Sequence, residues 1–163
     1  MIRALILANS LLVLTVTALA DEFPARKAGL WEITTNTGGS SPAVTRLCLD
    51  DATETELLKK GNATMNTICS RHEVHRNGNV VTQDSVCRPM SSEVTARAVT
   101  TFTGDAAYTT QTTSHYDPPF MGRADQNITQ DGKWLGPCGS DMRPGDMIVR
   151  GRKLNVLTTP AAP

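Results

Sequence analysis

The sequence predicts a mainly β domain: a curved antiparallel meander, or a partly open barrel, carrying one short helix and stapled by disulfides. Three observations lead there. From Cys69 onward, alternating segments are separated by tight-turn dipeptides such as Asn77-Gly78 and Gly104-Asp105, and consecutive strands with short turns build antiparallel sheet. A single stretch beyond residue 50 carries helix-start signals. The four cysteines form an even set in a chain that opens with an export signal, which reads as a disulfide framework.

The export signal occupies residues 1–20. Met1-Ile2-Arg3 supplies a positive charge, an apolar run extends from Ala4 to Leu19, and Ala18-Leu19-Ala20 places small residues at the −3 and −1 positions. These are the three parts of a cleavable secretory signal. A membrane-spanning helix needs about 20 predominantly apolar residues, whereas this run is shorter and contains Asn9, Ser10, Thr15 and Thr17. No cysteine precedes Cys48, so lipid anchoring through an N-terminal cysteine is not expected. Cleavage after Ala20 releases residues 21–163 as one soluble exported domain, long enough to bury its own core. The signal contains one of the 16 basic residues and none of the 16 acidic ones, which leaves a mature net charge of −1. Nucleic-acid binding therefore has no electrostatic basis.

The elements follow in order. Gly29–Thr35 alternates, with Trp31, Ile33 and Thr35 on one face. Asn36–Pro42 is a loop. Ala43–Leu49 alternates again, with Leu47 and Leu49 inward and Cys48 pointing away. Asp51 then caps a helix, Glu54 takes the capping-box position, Leu57 and Leu58 supply the apolar stripe, and Gly61 ends it. So short a helix depends on packing. Cys69–Arg76 and Asn79–Arg88 flank the Asn77-Gly78 hairpin signal. A three-residue turn, or a two-residue turn with a bulge, sets Cys69 opposite Cys87 and leaves Cys48 for Cys138. A zinc site would need close ligand pairs such as Cys-x-x-Cys, and no two cysteines are closer than 18 positions.

Val94, Ala96, Ala98, Thr100 and Phe102 form one face of the next strand. Gly104-Asp105 turns into Ala107–Tyr116, Asp117-Pro118-Pro119 ends that strand, and Arg123–Gln130 follows. Asp131-Gly132 turns the chain toward Lys133–Leu135 and Gly136-Pro137-Cys138. A short hairpin about Arg150-Gly151-Arg152 is expected, then a frayed tail over residues 156–163. A sheet of about seven strands twists and curls, and the helix covers one face or plugs one end.

Lys27-Ala28-Gly29-Leu30-Trp31-Glu32, the spaced cysteines, Trp134-Leu135-Gly136-Pro137-Cys138 and Asp141-Met142-Arg143-Pro144-Gly145-Asp146 together resemble the bacterial domain-of-unknown-function family 3617. Its members are small exported proteins of Gram-negative bacteria. The likeness runs from about Lys27 to Leu154, with Ala28 where the family favours proline and Gly139-Ser140 where it favours proline-alanine. The resemblance implies a periplasmic address and an all-β fold, and it implies no activity.

No residue set forms a catalytic or cofactor signature. His72 and His75 lack the His-Glu-x-x-His spacing, and three positions apart on a strand they point to opposite faces. Ser114-His115-Tyr116-Asp117 places the letters of a triad side by side, but a triad needs converging side chains. There is no Gly-x-Ser-x-Gly elbow, and Gly38-Gly39-Ser40-Ser41 is not set between a strand and a helix as a phosphate loop must be. Met65, Met90, Met121, Met142 and Met147 are scattered, unlike the clustered thioethers of copper carriers. No enzyme, no cofactor and no metal site are expected.

Large apolar side chains are scarce; aromatics make up only 4% of the chain, and small residues leave room above a sheet. The candidate groove comprises Trp31, Ala98, Thr100, Phe102, Ala107 and Thr109, with Tyr108, Tyr116, Phe120 and Trp134 available as floor or rim. If the helix packs closely there, the same aromatics simply build the core. The leading expectation is a non-catalytic binding module for an apolar or amphipathic small molecule. The alternative is a structural domain of the envelope that docks a protein through a strand edge. A metal carrier using His72, His75 and methionine is the third option.

Overall fold

The computed structural model describes residues 23–39 and 41–158. The signal assigned to residues 1–20 and its cleavage point lie outside the described residues, as do residues 159–163 of the tail. Nine strands and one helix are described: β1 (Gly29–Asn36), β2 (Ala43–Leu49), α1 (Asp51–Ile68), β3 (Cys69–Asn77), β4 (Val80–Cys87), β5 (Glu93–Thr103), β6 (Ala107–Phe120), β7 (Arg123–Gly136), β8 (Asp146–Val149) and β9 (Arg152–Asn155). All the strands join one antiparallel open sheet in the order β3-β4-β5-β6-β7-β1-β2-β8-β9. β3 to β7 form the expected meander; β1 returns beside β7, and β2 and the β8–β9 hairpin extend it.

α1 connects β2 to β3, which stand six strand spacings apart in the sheet. An antiparallel sheet of this many strands twists and curls, and α1, whose 18 residues span ~27 Å, lies across its concave face, where Arg26 and Glu54 meet beside Thr100, Phe102 and Tyr108. Trp31, Leu47, Leu49, Val81, Phe102 and Tyr108 form the buried core, with Phe23, Leu57, Val74, Met147 and Val156 packed around them. Cys48 points to the opposite side of β2 and is bonded to Cys138; Cys69 is bonded to Cys87. These two bridges account for all four cysteines.

The helix departs from the sequence reading at both ends. Its N-cap is Asp50, not Asp51: the Thr53 amide donates to Asp50 Oδ1 at 2.8 Å and the Glu54 amide to Asp50 O at 2.8 Å. Gly61 does not end it. This glycine is not in the left-handed conformation that makes a C-cap, and the helix continues to Ile68. A glycine inside a helix costs about 1 kcal/mol. That cost is tolerable here because both helix ends are fixed, one by Cys48–Cys138 just before Asp50 and the other by Cys69–Cys87 directly after Ile68.

The hairpin turn has two residues, Gly78 and Asn79, and pairs Asn77 with Val80. A bulge between Cys69 and Arg71 supplies the one-residue shift that sets Cys69 opposite Cys87. Asp117-Pro118-Pro119 does not end β6, which continues irregularly through a cis Asp117–Pro118 bond to Phe120 and turns at Met121-Gly122. Asp131-Gly132 does not turn either, and β7 is continuous. A Cβ on Gly132 would lie 2.1 Å from Tyr108 Cε1, so this glycine admits the tyrosine ring instead of bending the chain. The hairpin about Arg150-Gly151 is present. Residues 156–158 are held rather than frayed: the Val156 amide donates to Gly145 O at 2.8 Å, and Lys60 Nζ donates to the Val156 and Leu157 carbonyls at 3.0 Å.

Candidate functional site

The chain entering β1 builds one wall of the site. Lys27 N–H donates to Asp105 O and Trp31 Nε1 donates to Lys27 O, both at 2.8 Å. Trp134 Nε1 donates to Ala28 O at 3.0 Å, and Lys27 Nζ stands 4.0 Å from the Trp134 ring centre. Gly29, with φ of 137°, passes so close that a Cβ would lie 2.3 Å from Gly136 O and 2.4 Å from Trp134 Nε1. The two end motifs singled out in the sequence are therefore one structural unit.

Arg26, just before it, reaches under α1. Its Nε and Nη2 donate to Glu54 Oε1 and Oε2 at 3.0 and 2.7 Å, and the two side chains are only 16% and 15% exposed. The guanidinium lies 5.6 Å from the Trp31 ring and 5.7 Å from that of Tyr108, within cation–π range. Burial pushes the Tyr108 phenol above its ordinary pKa, with Arg26 opposing part of that rise, so the hydroxyl stays neutral near pH 7.

Beside this pair a chamber of about 170 Å³ opens between α1 and the concave face, lined by Phe23, Arg26, Glu54, Leu58, Thr100, Phe102, Tyr108 and Thr110. The Thr100 and Thr110 hydroxyls satisfy each other at 2.9 Å, so the chamber wall presents little unmet polarity. A second space of about 390 Å³ shares Phe23, Arg26, Glu54 and Leu58 and extends to Asp51, Thr55 and Arg76. Together they form a groove with an apolar, ring-lined interior and a mouth of two arginines and two carboxylates. Neither histidine nor cysteine lines it.

The structure brings together part of the groove read from the sequence. Thr100 and Phe102 line the chamber, and Trp31 lies beneath Arg26. Ala98 faces the same side further along β5, between Gln83 and Thr112. Ala107 and Thr109 face the opposite side. Tyr108 and Thr110 are the inward residues of β6, and alternation sends the intervening positions outward; Thr109 Oγ1 donates to Asp131 Oδ1 at 2.7 Å there. Phe23, Arg26, Glu54, Leu58 and Thr110 complete the lining, and the sequence pattern does not mark them as groove residues. The inward alternation from Tyr108 could have found Thr110. Glu54 carries a helix-start signal that masks its pairing with Arg26, 28 positions away.

The histidines do not converge. His72 lies on the concave side within 3.5 Å of Gln83 Nε2, while His75 lies on the other side, 3.9 Å from Glu73. His115 Nδ1 meets Asp125 Oδ1 at 2.8 Å on the convex face, where Arg97 also pairs with Asp84 at 2.9 Å, and Ser114 points to the opposite face from His115. Among the described residues no group of three or more His, Cys, Asp or Glu side chains is placed to hold a metal ion, and no helix is long and apolar enough to cross a membrane.

No curated protein and no solved structure shows significant similarity to this chain. The family described as "protein of unknown function (DUF3617)" matches residues 26–138, from the groove arginine to the last cysteine. With both end motifs meeting at Gly29 and both disulfides inside the matched span, the chain belongs to that family.

Proposed function

We propose that the chain is a non-catalytic binding module of the bacterial envelope, exported to the periplasm, that holds a small apolar or amphipathic molecule between α1 and the concave face of the sheet. The continuous groove is the observation that carries this reading. An apolar cavity of about 150 Å³ accepts a molecule the size of benzene, so a chamber of about 170 Å³ suits one aromatic ring or a short branched alkyl group. The polar end of the ligand then lies at the mouth, near Arg26, Glu54, Asp51 and Arg76. The two disulfides suit an oxidising compartment such as the periplasm.

Native mass spectrometry of protein purified from its own periplasm tests the reading. The expected result is a small-molecule adduct that is lost in the chamber-filling variant Leu58→Trp. A second reading, docking of a protein partner, draws support from β3, a nine-residue edge strand paired only on its β4 side. Its bulge and its charged Arg71, Glu73 and Arg76 resemble features that guard edges against pairing. Protein purified without any small molecule but with a bound polypeptide overturns the groove reading in favour of this one.

A further inference from the structure

We propose a second ligand site, for a neutral saccharide, along the concave face beyond the α1 groove, where Gln130 (opposite Thr110), Thr112, Ser114 with its partner Gln126, and the ring pair Tyr116–Phe120 follow one another along β6 and β7. Tyr116 stands eight residues along β6 from Tyr108, ~27 Å away in an extended strand, and no residue is shared with the groove beneath α1.

Charge is the first argument. Every inward position of β5 from Val94 to Thr100, of β6 from Thr110 to Tyr116 and of β7 from Gln126 to Gln130 is uncharged. The opposite face of the same strands carries Arg97, His115, Asp125 and Asp131. Both faces carry threonines and amides, but only the reverse adds charges; a half-exposed face of amides, hydroxyls and small apolar side chains without charge is matched to a ligand that is polar and neutral.

The hydrogen-bonding inventory is the second. Tyr116 Oη donates to Gln126 Oε1 at 2.8 Å, which orients the amide and leaves Gln126 Nε2 to donate. Gln130 Nε2 donates to Thr35 Oγ1 at 3.3 Å, which leaves Gln130 Oε1 to accept. The Thr112 and Ser114 hydroxyls have no side-chain partner among the described residues. Oriented amides beside hydroxyls, each able to donate or accept, complement the adjacent hydroxyls of a sugar.

The third argument is the ring pair. Tyr116 and Phe120 stack with centroids 6.0 Å apart and planes 24° apart, and they wall a hollow of about 390 Å³ with Met121, Arg123 and Gln126. An aromatic face takes the C–H side of a pyranose ring while the amides take its hydroxyl edge. A purely apolar ligand would strand the glutamines, and a polyanion would meet one cation, Arg123.

The test is calorimetric titration of the full mature protein with cellohexaose and with chitohexaose, which adds acetamido groups to the same ring geometry. Wild type is expected to bind at least one of them saturably with Kd below about 1 mM. Tyr116→Ala and Ser114→Asp should each weaken binding by about tenfold or more. Ser114→Asp adds a charge without removing packing, so its melting temperature should stay near that of wild type. Absence of saturable binding to both hexasaccharides, or binding left unchanged by both substitutions, overturns the proposal.

Discussion

Gly132→Ala tests how tightly the concave face is packed at Tyr108. Gly132 sits on β7 between Tyr108 of β6 and Ile33 of β1. The new Cβ would lie 2.1 Å from Tyr108 Cε1 and 2.3 Å from Cζ, where carbons in contact stand about 3.5–4.0 Å apart. The ring must therefore move by about 1.5 Å, the difference between those separations. It has no easy direction, since its centroid is 5.8 Å from that of Trp31 and 5.9 Å from that of Phe102, with Arg26 over its face. Overpacking costs about 1–3 kcal/mol, and a ring held on three sides belongs at the upper end. Replacing a strand glycine by alanine returns about 0.5–1 kcal/mol, which leaves a net loss of about 2 kcal/mol. At roughly 2–4 °C per kcal/mol for a chain of this size, Tm falls by about 4–8 °C. In a Tyr108→Leu background the clash disappears and Gly132→Ala becomes neutral or stabilising, whereas Tyr108→Phe keeps the ring and the penalty. Urea and thermal denaturation of the four corners of the cycle should give a coupling of about 2–3 kcal/mol. An unchanged Tm in Gly132→Ala, or simple additivity with Tyr108→Leu, refutes the packing argument.

The remaining predictions are local. The bridges close 90 and 18 residues, for which chain entropy gives about 4.6 and about 3.2 kcal/mol; Cys48→Ala with Cys138→Ala should therefore destabilise more than Cys69→Ala with Cys87→Ala in urea unfolding, and the reverse order counts against the entropic account. Asp50→Ala should cost about 1 kcal/mol as a lost cap. The hydrogen bonds from Thr53 hold the Asp50 carboxyl below its ordinary pKa, so the cap contributes fully above the unfolded pKa and fades as pH falls through the lower native one. The Tm gap between wild type and Asp50→Ala should hold from about pH 8 to about pH 5 and narrow as pH falls below the unfolded carboxyl's value of about 3.9; a gap that widens in acid contradicts this. Gly61→Ala should stabilise by about 0.5–1 kcal/mol, because its Cβ meets nothing within 4 Å; a loss of stability would mean that Gly61 is a C-cap after all.

Much of the fold is legible because strand alternation and hairpin counting are local rules. The inward set of β5 and the Cys69–Cys87 pairing both follow from them. Glycine is where local reading fails. Gly61 and Gly132 both look like punctuation, yet one is an ordinary helix residue and the other admits a ring from the neighbouring strand; only the neighbour distinguishes these uses. The outward placement of Ala107 and Thr109 is a one-residue parity slip, to which side-chain direction on a strand is fully sensitive. The Arg26–Glu54 pair that shapes the groove links the entering chain to α1 across 28 positions, and no periodicity announces it.

The central claim, that the space under α1 is a ligand groove rather than loose packing, is tested most directly by calorimetric titration with 3-phenylpropionate. The probe has one ring for the chamber and a carboxylate for the mouth. Wild type should bind a single equivalent with Kd below about 1 mM. Leu58→Trp and Thr110→Leu, which fill the chamber from α1 and from the sheet, should lose that binding while still melting cooperatively. No binding by wild type, or equal binding by wild type and both folded variants, contradicts the claim.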